Sequence, residues 1–140
     1  MNDIAIRTVI DDLVAGLRAK DLAAVERAYS PDVISFDVEP PLQHVGIAAK
    51  LENWKRAFAF FETIDYEVRN LALTVGADIA FGHGFGRLSG TLADGTPTTG
   101  MWVRVTYGLR LTDDTWRIVH DQVSVPLDMA TGRPVTDLEP

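Results

Sequence analysis

The sequence predicts an α+β fold in which three N-terminal helices pack on a strongly curved, mostly antiparallel sheet. Two observations predict it: apolar residues recur at three- and four-residue steps in most of the first 62 residues, and they alternate with period two from there to Val125. A chain of 140 residues can bury one hydrophobic core and is too short for two. We therefore expect a single domain over residues 1–127 and an irregular C-terminal tail over residues 128–140.

The first helix is predicted over residues 4–19, where six apolar side chains share one face. A second, shorter helix follows Asp21, which is suited to the N-cap, and Pro31 prevents its continuation. The third begins at Gly46 and has a broad aromatic face. The apolar positions of this third helix are Ile47, Leu51, Trp54, Phe58 and Phe61.

A first strand is predicted over residues 33–38, which are rich in β-branched side chains and end at a rigid Pro40-Pro41 loop. Four strands follow the third helix, separated by turns at residues 76–78, 94–95 and 113–114. The alternation changes phase near Arg69-Asn70, which predicts a β-bulge.

The strand that begins at Ile79 predicts the curvature of the sheet. Its large side chains, Phe81, His83 and Phe85 among them, point to one side, and three glycines at alternate positions point to the other. Glycines inside a strand indicate a sharp bend or a close approach of two backbones. The next strand has a continuous apolar face that includes Tyr107.

The composition excludes several classes of function. With 13 Lys and Arg against 20 Asp and Glu, the formal charge is −7, which repels nucleic acid. Without cysteine, the chain has no thiol chemistry, no disulfide and no thiolate metal site. No apolar run reaches 18 residues and no secretory leader is recognisable, so we expect a cytoplasmic protein with no membrane partner.

Several motifs resemble those of the NTF2-like superfamily, and more narrowly of its SnoaL-like branch, which includes relatives of ketosteroid isomerase. They are Lys20-Asp21-Leu22, Tyr29-Ser30-Pro31-Asp32-Val33, Phe36-Asp37-Val38-Glu39-Pro40-Pro41-Leu42, Gly46, Arg104-Val105-Thr106, Trp116-Arg117-Ile118-Val119-His120 and His120-Asp121-Gln122-Val123-Ser124-Val125-Pro126. The resemblance covers nearly the whole chain and implies a cone of helices and curved sheet around a hydrophobic cavity. It also implies a homodimer through the outer sheet surface, where Trp102 and Arg104 are expected.

The resemblance implies a protein that binds a hydrophobic small molecule. One interpretation is a cofactor-independent enzyme that isomerises, cyclises or eliminates a hydrophobic carbonyl compound by acid/base proton transfer. The alternative is a non-catalytic module of the same fold that binds a ligand or oligomerises. Fold alone does not choose between them.

Matching the steroid isomerases residue by residue places their catalytic carboxylate on Asp37, at the end of the first strand. A carboxylate at the lip of an apolar cavity is expected to have a raised pKa, which suits a general base. The alternative role for Asp37 is a cap of the turn into Pro40-Pro41. The oxyanion-hole tyrosine of those enzymes falls at Leu13 and their second acid near Tyr107, so that hole is not reproduced.

His83 and Asp121 complete the predicted catalytic set. The match to the isomerases turns the His83 face toward the cavity, where an imidazole can donate to an oxyanion; the alternative is a hydrogen-bonded core histidine. Asp121 shares the apolar phase of the last strand and is expected to orient Asp37 or His83 or to restore the protonation state of one of them. His120 lies on the opposite phase, but broken alternation near Gln122 leaves the choice between the two residues open.

The predicted binding residues are mostly aromatic, which favours a flat or polycyclic ligand. They are Tyr29, Trp54, Phe58, Phe81, Phe85, Met101, Tyr107 and His120. Asp37, His83, His120 and Asp121 have metal-binding side chains, but no compact metal motif connects them, so we expect no metal. The alternate glycines lack the strand-to-helix context of a nucleotide loop, and no other cofactor is expected.

Overall fold

The computed structural model of this protein describes residues 2–140. The helices are α1 (Asn2–Arg18), α2 (Leu22–Ala28) and α3 (Ile47–Phe60). The strands of the main sheet are β1 (Tyr29–Phe36), β2 (His44–Val45), β3 (Phe61–Val75), β4 (Ile79–Leu92), β5 (Met101–Thr112) and β6 (Thr115–Ser124). No helix within residues 2–140 combines the length and the apolar content needed to cross a membrane.

The six strands form one sheet in the order β2-β1-β6-β5-β4-β3. Only β1 and β6 pair in parallel; every other neighbouring pair is antiparallel. The predicted α+β class with a mostly antiparallel sheet is confirmed. Because β1 and β6 are neighbours, residues far apart in the sequence lie side by side, and Ser35 is opposite Asp121.

Several boundaries differ from the predicted ones. The first strand covers Tyr29–Phe36 rather than residues 33–38, and Phe61, predicted on the third helix, begins β3. The second helix ends at Ala28, before the predicted limit at Pro31, and Tyr29 has an extended backbone and begins β1. The tail, predicted to be irregular, contains a short hairpin of β7 (Leu127–Asp128) and β8 (Arg133–Pro134).

The hydrophobic core lies between α1 and the sheet. Ile6, Ile10 and Leu17 of α1 are at most 1% exposed, and Leu109 of β5 and Ile118 of β6 are fully buried. The three helix residues belong to the apolar face predicted for the first helix, and the two strand residues face inward. Burial of such side chains is the main favourable contribution to folding.

The glycines of β4 face inward, which reverses the predicted orientation of this strand. Gly84 pairs with Val105, whose buried side chain marks the inner face, whereas His83 pairs with exposed Thr106. Side chains opposite one another in a sheet project to the same face. The prediction that the His83 face lines the cavity is therefore wrong. A Cβ atom on Gly86 would overlap the Tyr66 hydroxyl, so the glycine is needed for close packing.

Two bulges set which side chains face inward. The predicted bulge in β3 is confirmed by a register shift between Arg69 and Ala72, with Asn70 at a φ of +59°. In β6 the register passes from Ile118 to His120, which leaves Val119 unpaired. This extra residue lets both Ile118 and Asp121 face inward, so the alternation breaks at Val119 rather than near Gln122.

Candidate functional site

Helix α3, the segment after β1 and the inner face of the sheet enclose a cavity of about 560 Å³. A volume of this size holds an ordinary small molecule. Asp37, Lys50 and Asn53 form its polar end. The remaining lining residues are Val38, Glu39, Trp54, Arg56, Ala57, Phe60, Phe61, Tyr66, Leu88, Met101, Val103 and Val123.

The structure places Asp37 on the cavity wall, with its side chain 20% exposed. Its Oδ1 accepts the backbone N–H of Val38 at 2.8 Å, and its Oδ2 accepts from Lys50 Nζ and Asn53 Nδ2, each at 3.2 Å. Burial disfavours the carboxylate, but the Lys50 charge and these hydrogen bonds outweigh burial and lower the Asp37 pKa. The predicted rise in this pKa is therefore wrong, because an ammonium group lies beside the carboxylate.

Lys50 is 2% exposed and joins the two predicted carboxylates. Its Nζ lies 3.2 Å from Asp37 Oδ2, 3.1 Å from Asp121 Oδ2 and 3.1 Å from Ser35 Oγ. Burial opposes its charge, but Asp121 and Asp37 together raise the Lys50 pKa above the usual value. An ammonium group has three N–H donors, and three acceptors surround this one. Lys50 is thus a cation without a spare donor for a ligand.

Asp121 lies behind the cavity wall and is 1% exposed. Besides Lys50, it accepts hydrogen bonds from the Ser35 hydroxyl and, at 3.2 Å, from the Tyr29 hydroxyl. Burial first, and then the Asp121 charge, raise the Tyr29 pKa, so the phenol keeps its proton and donates. Asp121 therefore binds Lys50 from the buried side, behind the cavity wall, and Asp37 binds it from the cavity side.

Tyr66, on β3, contributes a phenol to the cavity wall. Burial raises its pKa, and the nearby charges of Asp121 and Asp37 raise it further. A phenol in this environment stays protonated and retains an O–H donor. Tyr107 is buried beyond the cavity lining, and burial likewise raises its pKa.

The predicted catalytic residues divide into two groups. Asp37 and Asp121 are brought together through Lys50. His83 lies exposed on the outer face of β4, together with half-exposed Phe81 and partly buried Phe85.

The predicted binding residues also separate. Trp54 and Met101 line the cavity, and Phe58 packs beside Trp54 with ring centroids 6.2 Å apart. Tyr29 and Tyr107 are buried behind the wall. His120 faces away from the cavity, where its Nδ1 lies 2.6 Å from the Ile34 carbonyl oxygen and its ring contacts Phe36.

Sequence reasoning missed Ser35, Lys50, Asn53 and Tyr66. Lys50 had a signal: it is three residues after Ile47 and four before Trp54, which places it on the apolar face of the third helix. Ser35 shares the inward phase of Val33 in β1. The ion pair itself had no local signal, because Asp121 is distant in sequence. Among residues 2–140, no group of three or more His, Cys, Asp or Glu side chains is placed to hold a metal ion.

Comparisons with known proteins agree with this architecture. A sequence profile described as the SnoaL-like domain matches residues 6–128. An NTF2-like protein of unknown function from Pseudomonas putida KT2440 is 26% identical, with a TM-score of 0.86 over 96% of this chain and 94% of that chain. No curated protein matches the sequence significantly.

Two more distant structures share the fold. A ketosteroid isomerase-like protein from Erwinia carotovora atroseptica is 19% identical, with a TM-score of 0.70 over 86% of this chain and 93% of that one. A candidate scytalone dehydratase from Novosphingobium aromaticivorans is 12% identical, with a TM-score of 0.80 over 99% of this chain and 95% of that one.

Proposed function

Because this chain belongs to the SnoaL-like family of the NTF2-like superfamily, we propose that it is a cofactor-independent enzyme that moves a proton on a small hydrophobic carbonyl compound. The observation that supports this most strongly is the ionised carboxylate of Asp37, which Lys50 and Asn53 hold on the wall of a largely apolar cavity. Isomerisation, cyclisation and elimination all begin with such a proton transfer.

Asp37 is the proposed base. Two donors occupy its Oδ2, whereas within residues 2–140 the Val38 N–H is the single donor to Oδ1, so Oδ1 has a lone pair for a substrate proton. A carboxylate with a lowered pKa is ionised at neutral pH but is a weak base. The substrate is therefore expected to have an acidified C–H, as in a carbonyl compound activated by a neighbouring aromatic ring or second carbonyl.

Tyr66 replaces His83 as the proposed donor to the developing oxyanion. Its protonated phenol lies on the cavity wall, whereas the Lys50 donors are already used. A donor directed at the oxygen on which charge develops stabilises the transition state more than the ground state. Lys50 and Asp121 are proposed as positioning residues that keep Asp37 ionised.

The alternative proposal is a ligand-binding or oligomerisation module in which the same cavity holds its ligand without turnover. The lowered pKa of Asp37 favours it, because that shift reduces the strength of the base. The proposed homodimer through the outer sheet face is compatible with both functions. On that face the guanidinium groups of Arg69 and Arg87 lie 4.4 and 5.3 Å from the centroid of the Trp102 ring.

Hydrogen–deuterium exchange tests the proton transfer without knowledge of the natural reaction. With 2-tetralone in D₂O as the probe, NMR should show exchange at its activated C–H that is faster with the protein than in buffer. Asp37→Asn should slow this exchange about 10²- to 10⁴-fold, as expected for loss of a general base. Asp11→Asn, at an exposed position of α1, is the matched control and should exchange at the wild-type rate.

The same probe separates the two proposals. Binding is followed through the fluorescence of Trp54, which lines the cavity. If 2-tetralone and related ketones bind to the wild-type protein but do not exchange, the enzyme proposal is rejected in favour of the module.

A further inference from the structure

His44 and Asn53 form a hydrogen-bonded group beside Asp37. Asn53 Nδ2 donates to Asp37 Oδ2 over 3.2 Å, and the same nitrogen lies 3.3 Å from His44 Nε2. Arg56, almost one turn further along α3, donates to Asn53 Oδ1. His44 is 7% exposed, and both polar contacts of its ring with the described residues 2–140 are made by Nε2.

The neighbours of the Asn53 amide allow only one orientation. A guanidinium group has donors only, so the amide atom beside Arg56 must be the oxygen. An ionised carboxylate has acceptors only, so the amide atom beside Asp37 must be the nitrogen. Both ends require the same orientation, and the second N–H of the amide is left for His44.

This orientation determines the state of the His44 ring. Nε2 can accept from Asn53 only when it is unprotonated, so the neutral ring has its proton on Nδ1. The Glu39 carbonyl oxygen lies 3.4 Å from the same Nε2. An imidazolium would donate to this carbonyl and would present an N–H to the Asn53 amide nitrogen, which is also a donor.

We propose that His44 is a positioning residue that couples its own protonation to the base Asp37. As a neutral ring, His44 accepts a hydrogen bond from Asn53 and holds it against the Asp37 carboxylate. As an imidazolium, it donates to the Glu39 carbonyl instead, and Asn53 is released. The charged groups around this pair are Asp37 after β1, Glu39 in the following loop, and Lys50 and Arg56 on α3. The inference rests on the proposed function only in that it treats Asp37 as a base.

The first test reads the His44 tautomer directly in the full chain. In ¹⁵N-labelled wild-type protein at pH 8, long-range ¹⁵N–¹H correlation should show His44 Nδ1 protonated and Nε2 unprotonated. The opposite tautomer, with the proton on Nε2, would overturn the proposal. This measurement needs no variant, so it stands even where a substitution prevents folding.

The second test follows Asp37 by the pH titration of its carboxyl ¹³C resonance. His44→Phe keeps a ring and removes the acceptor, so the pKa of Asp37 should rise; His44→Gln restores an acceptor and should keep the wild-type midpoint. Asn53→Ala should also raise the midpoint, and adding His44→Phe should raise it no further. Equal midpoints in all variants, or additive shifts, would refute positioning through Asn53.

No substrate enters either measurement. Failure of the proposed proton transfer therefore leaves both results unchanged. Conversely, the wrong His44 tautomer would leave the exchange assay with Asp37→Asn unaffected.

Discussion

Replacing Lys50 by methionine tests the buried charge cluster most directly, because Lys50→Met keeps the length of the side chain and removes its charge. At 3.1 and 3.2 Å, and with an effective dielectric constant of about 20, each ion pair has a Coulomb energy of about 5 kcal/mol. Desolvation of Lys50 offsets much of this, but its removal leaves two carboxylates without a counter-ion. We expect a loss of about 3–5 kcal/mol in the free energy of unfolding at pH 7.5.

Acidification should reduce this loss. In the wild-type protein the lowered pKa of Asp37 contributes stability above its unfolded pKa, and that contribution disappears as the pH falls through the folded value. In Lys50→Met no ammonium group offsets the burial of Asp37, so Asp37 binds a proton more readily than in the wild-type protein, and the variant gains stability relative to wild type as the pH decreases from 7.5. The difference between the two proteins should therefore be smaller at pH 5 than at pH 7.5.

Urea denaturation at both pH values measures the two free energies. Lys55→Met is the matched control, because Lys55 is on the same helix, is 54% exposed and pairs with exposed Glu52. Its effect should stay within about 1 kcal/mol. A Lys50→Met protein within about 1 kcal/mol of wild type at pH 7.5, or one that is destabilised further at pH 5, would refute the ion-pair argument.

Two further substitutions test the cavity wall. Gly86→Ala should lower the unfolding free energy by about 1–3 kcal/mol, because the added Cβ would overlap the Tyr66 hydroxyl. Gly108→Ala is the control and should lower it less, because a Cβ there has ordinary contacts of 3.6 Å and more. Thermal unfolding compares the two variants. Tyr66→Phe should slow the hydrogen–deuterium exchange of 2-tetralone about 10²- to 10³-fold. Tyr107→Phe, which changes a residue behind the cavity wall, should slow it less. Equal rates for wild type and Tyr66→Phe would reject Tyr66 as the donor.

The helices and the inner face of β5 could be predicted because the apolar period of a segment directly determines which side it buries. The orientation of β4 could not be predicted in this way. The face with aromatic side chains has the composition of a buried face, whereas the glycine face has no side chains that would indicate burial. The register of β4 with β5 settles the orientation: Gly84 pairs with buried Val105 and His83 with exposed Thr106. A strand rich in glycine needs its neighbour before its buried side is known.

The candidate site was predicted only in part for a different reason. Asp37 and Asp121 were recognised one by one, from a family match and from an acid on an apolar phase. Lys50, which joins them, was not singled out, because lysines are rarely buried and seldom belong to a core. Its burial follows from the parallel pairing of β1 with β6, which places Ser35 beside Asp121 beneath α3. No local pattern in the sequence encodes that long-range pairing.

The two carboxylates and one ammonium of the cluster sum to one net negative charge at the polar end of the cavity. A ligand that arrives as a carboxylate or phosphate would add a second negative charge, whereas a neutral ligand adds none. In the proposed reaction a proton passes from the neutral ligand to Asp37, so the ligand becomes the anion and the carboxyl becomes neutral. The total charge inside the cavity is then the same before and after the transfer, so the surrounding protein has no change in net charge to accommodate.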